Sequence, residues 1–168
     1  MSNTQAMCTS FLGEVLTATH NFGVAPTRGT TAADTFKAAL YTATSNTGTS
    51  STVCASATAY AATLNTVPEV SGTGYTAGGV AVTNANVPLS SNTSVTAGTA
   101  YWTPSASITY TTVTLATAFD TVLIYNSTQS NKAVSVHTFG SQTITSGTFT
   151  LTMPANTTAA ALLRIATT

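Results

Sequence analysis

The side chains able to do acid–base or nucleophilic chemistry are few and scattered: Glu14, Asp34, Glu69 and Asp120, His20 and His137, and the thiols Cys8 and Cys54. No H-E-x-x-H, G-x-S-x-G or C-x-x-C spacing links them, so the chain carries no motif of a zinc protease, a serine hydrolase or a dithiol couple. Two carboxylates brought together by folding could still act as a glycosidase pair. With four acidic residues in the whole chain and no acidic cluster, that chemistry has little to draw on. A structural metal would need ligands that the composition barely supplies, and no cofactor or metal is expected. His137 lies between Val136 and Thr138 in a strand-like run, where a hydrogen-bonded or rim imidazole is a simpler reading than a catalytic one. The sequence reads as that of a protein that is not an enzyme.

The glycine-rich stretch 70–79 (VSGTGYTAGG) tempts one toward a phosphate loop. The next residues, Val80-Ala81-Val82-Thr83, read as a strand rather than a helix, and no Lys-Ser/Thr pair accompanies them. Glycines that permit positive φ in a tight turn or bulge explain the stretch better.

Positioning these residues falls to β-structure. Residues 118–154 read as a three-strand meander, with turns at 126–131 and at Gly140-Ser141-Gln142. In the last strand Phe149, Leu151 and Met153 alternate with Thr148, Thr150 and Thr152, giving one buried and one wet face. Val122, Leu123 and Ile124 run together, so 121–125 is expected to be a central strand covered on both faces. Residues 35–42 form the first strand, with Phe36, Ala38 and Leu40 on one face, and 45–56 form a polar loop. Ala57, Tyr60, Ala61 and Leu64 suggest two turns of helix. Ile108 and Tyr110 have one parity and Val113 and Leu115 the other, which predicts a bulge or break near Thr111-Thr112. Trp102, before Pro104, ends a short strand, and near the C-terminus Leu163 and Ile165 are expected to face the core while Arg164 points away.

Charged residues make up only 5% of the chain, four basic against four acidic, where a soluble domain typically has about 25%. Net neutrality removes the long-range field that would steer nucleic acid or anionic lipid to the molecule, so neither is an expected partner. It also removes the repulsion that keeps like molecules apart, and suits a surface to close packing with other protein. A chain of 168 residues has enough mass for a single core. No stretch has the length and apolarity of a membrane span, and the N-terminus MSNTQAMCTS has no signal-peptide pattern, so folding in a cytoplasm is expected. Cys8 and Cys54 could pair, but in a reducing compartment two lone cysteines are more often free.

Residues 1–34 differ from the rest. Phe11, Leu12, Val15 and Leu16 recur at helical spacing after Thr9 or Ser10, either of which could be the N-cap. The Gly/Pro/Thr run 23–34 then reads as a linker. Residues 1–34 could be a lid on the domain 35–168 or an arm that reaches a neighbouring subunit.

Three ordered series carry a family resemblance: Cys8-Thr9-Ser10-Phe11 through Glu14-Val15-Leu16 to His20-Asn21-Phe22; Asp34-Thr35-Phe36-Lys37-Ala38-Ala39-Leu40-Tyr41-Thr42; and Glu69-Val70-Ser71-Gly72-Thr73-Gly74-Tyr75 to Gly79. With Leu123-Ile124-Tyr125-Asn126-Ser127 and Ala161-Leu162-Leu163-Arg164-Ile165-Ala166, the set resembles a family of small virion proteins of tailed bacteriophages, over nearly the whole chain. The resemblance implies a component of the phage particle and, where a role is implied, a capsid decoration (cement) protein. The linker 23–33 and the sparse charge depart from the family pattern.

Together these point to an all-β, jelly-roll-like sandwich of roughly eight strands with a short N-terminal helix and arm. The expected function is structural: many copies on the outside of the head bridge major capsid subunits, with a homotrimer as the natural symmetric unit. The expected contact residues are Phe11, Val15, Leu16 and Phe22 on the arm, with Tyr75, Tyr101 and Trp102 as aromatic anchors at the rim. The alternative is a tail, baseplate or fibre module whose Thr/Ser/Asn loops bind host glycans. An ice-binding array, suggested by the Thr-x-Thr pairs, would need an internal repeat that the chain lacks.

Overall fold

The computed structural model describes residues 5–22, 33–43, 57–83, 86–91 and 98–166. Ten strands and one helix are found among them, in the order β1 (Gln5–Met7), α1 (Thr9–Leu16), β2 (Phe36–Thr42), β3 (Thr63–Leu64), β4 (Val67–Pro68), β5 (Val80–Val82), β6 (Leu89–Ser90), β7 (Thr99–Trp102), β8 (Ile108–Asn126), β9 (Lys132–Leu151) and β10 (Leu163–Ala166). All pairings are antiparallel. A five-stranded sheet runs β1-β9-β8-β2-β5, a three-stranded sheet β10-β7-β6, and β3 pairs with β4. The chain is an all-β sandwich with a short N-terminal helix.

The long hairpin β8–β9 is the frame. Cross-strand partners share a face, so Phe36, Ala38 and Leu40 of β2 sit beside Asn126, Ile124 and Val122 of β8, and Lys37, Ala39 and Tyr41 beside Tyr125, Leu123 and Thr121. Residues 121–126 of β8 are buried without alternation, as the Val-Leu-Ile run requires. The first face is covered by aromatic rings: Phe22 stacks on Phe36 at 4.6 Å, and Trp102 meets Phe22 at 4.7 Å. The Trp102 indole N–H donates to the Asn86 carbonyl at 3.0 Å, so the ring is buried without an orphaned donor. The second face is covered by residues 57–79, with Tyr60 stacked on Tyr125 at 4.7 Å.

Several expectations are met. The register slips between Tyr110 and Val113, where Thr112 takes a φ of 54°. Phe149 and Leu151 are half-buried while Thr148, Thr150 and Thr152 are exposed. Others need correction. The turn expected at Gly140-Ser141-Gln142 is absent: β9 continues through it, and Phe119 pairs with Gln142 while Thr121 pairs with Thr138, so the extra residues are taken up as a bulge. The expected meander is therefore a two-strand hairpin. Residues 57–64 are not helical, because their backbone is taken by long-range partners: Tyr60 N–H bonds to Asn131 O at 2.8 Å, and Ala133 N–H to Thr58 O at 3.0 Å. The N-cap of α1 is Cys8, not Thr9 or Ser10. Leu163 is buried, but Ile165 is 41% exposed, since β10 is an edge strand there. The N-terminal segment is docked as far as it is described: β1 pairs with β9, and Phe11 and Phe22 are buried. Residues 23–32 and the 45–56 loop, including Cys54, lie outside the described residues.

Gly79 combines a φ of 72° with a backbone so close that an added Cβ would run into the Ala38 carbonyl. Gly140 has nothing within 4 Å of an added Cβ. Gly79→Ala is therefore expected to destabilise the fold by about 2–4 kcal/mol, and Gly140→Ala by less than about 0.5 kcal/mol, in urea unfolding followed by near-UV circular dichroism.

Candidate interaction surface

All four carboxylates are turned inward. Asp120 accepts from the Thr121 hydroxyl at 2.7 Å and is buried. Glu69 accepts from Tyr60 Oη at 2.6 Å, Tyr75 Oη at 2.7 Å and the Gly78 N–H at 2.8 Å. Asp34 and Glu14 belong to one network at the turn of the β8–β9 hairpin.

The node of that network is Asn126. Its Oδ1 accepts from the Thr128 and Gln129 N–H groups, each at 3.1 Å, which fixes the amide orientation. Its Nδ2 must then donate, and does so to Asp34 Oδ2 at 2.7 Å and His20 Nδ1 at 3.0 Å. His20 Nδ1 being an acceptor, its proton sits on Nε2, which donates to Glu14 Oε2 at 2.7 Å. Lys132 donates to Glu14 Oε1 at 2.6 Å. Burial alone would raise the Glu14 pKa, but the hydrogen bonds from Lys132 and His20 outweigh it and hold the carboxyl below its ordinary value. Asp34 also accepts from the Asn21 N–H at 2.8 Å and Gln129 Nε2 at 3.1 Å. This network ties the N-terminal segment to β2 and to the hairpin turn, and its carboxylates and the Lys132 amine are committed to internal hydrogen bonds.

Around Glu69 lies a layer of tyrosines. Tyr41 donates to Ala61 O at 2.7 Å, Tyr110 to Ala38 O at 2.8 Å and Tyr125 to Gly78 O at 2.7 Å. Burial first, and then the nearby Glu69 charge, pushes the phenols up, Tyr125 to about 12 and Tyr41, Tyr60, Tyr75 and Tyr110 higher. They stay protonated as donors across the physiological range.

A cleft of about 390 Å³ opens between the two sheets, lined by Met7 and His137 on one side and Leu163, Arg164 and Ala166 on the other. The His137 Nε2 lies 3.0 Å from Ser135 Oγ, while its Nδ1 is sealed from solvent without a hydrogen-bond partner. Burial pushes the imidazole pKa down to about 4. His137 is thus a neutral wall residue, as the rim reading of the sequence has it. Arg164 Nη1 is held by the Ala159 carbonyl at 2.6 Å. No group of three or more His, Cys, Asp or Glu side chains is placed to hold a metal among the described residues, and no helix among them is long and apolar enough to cross a membrane.

The seven expected contact residues divide. Phe11, Phe22 and Trp102 are buried in this chain's own core, so they cannot also reach a neighbour from these positions; the rings of the N-terminal segment, Phe11 and Phe22, serve the monomer because β1 docks the segment on β9. Tyr75 is half-buried, with its hydroxyl committed to Glu69 and Leu40. Val15 and Leu16 are exposed, Leu16 at 88%, and with Leu12 they make an apolar outer face on α1. Tyr101 is half-exposed in a cross-strand row with Leu89 and Arg164, and Val87 and Leu89 are exposed close by. Leu12, Val87 and Leu89 are not among the expected contacts, because exposure of an apolar residue has no signature in periodicity. Comparison with protein-family models, curated proteins and solved structures finds no match. Function must be read from these surfaces and from the chemistry of the chain.

Two outcomes are expected. Glu69→Ala, which strands three donors, lowers unfolding free energy by about 3 kcal/mol, and Glu69→Gln recovers at least half of that, both measured in urea. The unfolded chain protonates His137 near 6.5 while the folded chain holds it neutral down to about 4, so stability falls as pH drops through that interval and levels below it. The loss is at most about 3 kcal/mol, since part of the ring meets the cleft. Below the ordinary Glu14 value of 4.5 the loss of that ionised carboxylate adds to it. His137→Phe is expected to flatten the upper interval and leave the lower one.

Proposed function

We propose that this chain is a structural protein of a tailed-phage particle, without enzymatic activity, which decorates the outer surface of the head and bridges major capsid subunits. The observation that carries the reading is where the charge goes. Of the few ionisable groups, Glu14, Asp34, Glu69 and Asp120 are all in internal hydrogen bonds, and Lys132 is paired with Glu14. Among the described residues the outer surface is left mostly with Thr, Ser and Asn hydroxyls and amides, with Arg164 exposed and Lys37 and Lys132 partly so, and with two patches of apolar side chains, on α1 and on Val87, Leu89 and Tyr101 beside Arg164. Such a surface has little to offer a charged ligand, and it costs little to desolvate against another protein. The resemblance to small phage virion proteins points the same way. Binding only the assembled lattice stabilises it by mass action, and several weak contacts on one homotrimer at three-fold positions add through effective concentration.

The contact residues under this reading are Val15 and Leu16 with Leu12, and Tyr101 with Leu89. Deleting the N-terminal segment would remove Phe22 from Phe36 and Trp102 and so confuse binding with folding; point changes on exposed atoms do not. The expected outcome of Leu12→Asp with Leu16→Asp is an occupancy on purified heads reduced at least about tenfold, with a thermal midpoint within about 3 °C of the parent. Quantifying labelled protein on particles with and without tails tests the location: many copies on tailless heads are expected, and a few copies lost with the tail would overturn the decoration reading in favour of a tail module.

A further inference from the structure

Strand edges are where a β-protein is exposed to unwanted pairing, and this fold keeps almost all of its edges short. The edge strands β1, β5, β6 and β10 have three, three, two and four residues. Before Phe119 the side of β8 away from β9 is met among the described strands only by the isolated bridge of Thr114 to Thr73. β9 is the longer exception. It runs for 20 residues, and β1 pairs with it only at Ser135, Val136 and His137. Beyond a bulge at Ser146, where φ is 53° and the N–H is taken by Thr114 Oγ1 at 3.2 Å, residues 147–151 pair with β8 on one side. Among the described residues no strand pairs with their other side.

This stretch, Gly-Thr-Phe-Thr-Leu, has no charge and no proline, the devices that commonly blunt an edge. Its inner face has an apolar seam that packs on this chain's core without being fully covered: Phe149, Leu151 and Met153 are all partly exposed. Phe149 has Tyr110, Phe119 and Phe139 on its near side, at 6.0, 5.0 and 5.3 Å. Its outer face is Thr148, Thr150 and Thr152.

We propose that residues 147–151 of β9 pair antiparallel with the same residues of a second copy, about a two-fold axis at Phe149. A second copy is the occupant because the seam is complementary to itself: with Phe149 facing Phe149, Gly147 faces Leu151 and Thr148 faces Thr150, so each copy extends the other's apolar row and its threonine row. A net charge of zero adds no repulsion to resist the approach, and the uncharged edge offers no handle that would favour a foreign charged strand. At five residues the paired segment is as long as a typical strand of about 5–6 residues. The contact is separate from the three-fold contacts proposed above, which form on the capsid lattice and not between free molecules, and it stands whether or not the chain decorates a capsid.

Sedimentation velocity over a concentration series tests it on the full chain. The parent is expected to show a monomer–dimer equilibrium. Thr148→Lys with Thr150→Lys puts lysines opposite lysines and is expected to raise the dimer dissociation constant about tenfold or more, and Thr148→Glu with Thr150→Glu to do the same. An equimolar mixture of the two variants should restore a dimer, which also demonstrates that both are folded. A parent that stays monomeric at its highest soluble concentration overturns the proposal. So does an oligomer of any size that persists unchanged in the lysine variant, or a mixture of the two variants that fails to associate.

Discussion

β2 and residues 119–126 of β8 lie side by side and are buried on both faces, and much of the molecule is built to meet that demand. A sheet covered twice needs two covers, and the two differ in chemistry, one built around a stack of apolar rings. That layer is the Phe22–Phe36–Trp102 stack. The second is made from tyrosines, whose rings supply apolar area and whose hydroxyls must then find partners in a dry place. Tyr41, Tyr110 and Tyr125 find carbonyls, while Tyr60 and Tyr75 share one carboxylate. Glu69 is therefore a consequence of covering a sheet with phenols, and the Gly78 N–H that completes its shell is available because Gly78 and Gly79 both take positive φ.

The same economy governs the other polar node. Asn126 sits at the end of the central strand with no exposed surface, and each of its amide groups makes two hydrogen bonds. Through it the hairpin turn, the start of β2 and the N-terminal segment are held by neutral and charged groups that satisfy one another. A partly satisfied network of this kind would cost more than an apolar replacement, so its completeness is what makes it compatible with a buried position. The His20 tautomer, the Asn126 rotamer and the Glu14–Lys132 pair specify one another, which fixes the docking of α1 in a single arrangement.

What could be read from the residues was what local chemistry decides. The Val122-Leu123-Ile124 run announced a doubly covered strand, the parity change around Thr111-Thr112 announced a bulge, and the glycines before Val80 announced a turn. What could not be read was decided by partners far away in sequence. Gly140-Ser141-Gln142 has turn chemistry, yet β8 lies alongside and the excess length is absorbed as a bulge. Ala57, Tyr60 and Leu64 have helical spacing, yet the backbone beside them is claimed by the hairpin turn. Phe11 and Phe22 have the character of the apolar side chains of an arm, and are core because β1 adds to the edge of β9. Of the expected contact residues, Val15, Leu16 and Tyr101 could be named from apolarity or aromaticity, but only the fold separates these exposed or partly exposed side chains from Phe11, Phe22 and Trp102, which have the same character and are buried.

Sparse charge also changes how such a fold can protect itself. Proteins commonly guard open sheet edges with lysines or inward-pointing charges, and this chain has four basic residues in all. Apart from the open edge of β9, its protection is geometric instead: edge strands of two to four residues, and bulges at Thr112 and Ser146 that twist the long hairpin. Geometry of that kind deters pairing without adding any long-range repulsion, so molecules can approach closely and only shape decides whether they stay. A surface of threonine hydroxyls with few cations among the described residues stays hydrated on its own and has a thin ionic shell, so covering it with protein would cost little in charge desolvation.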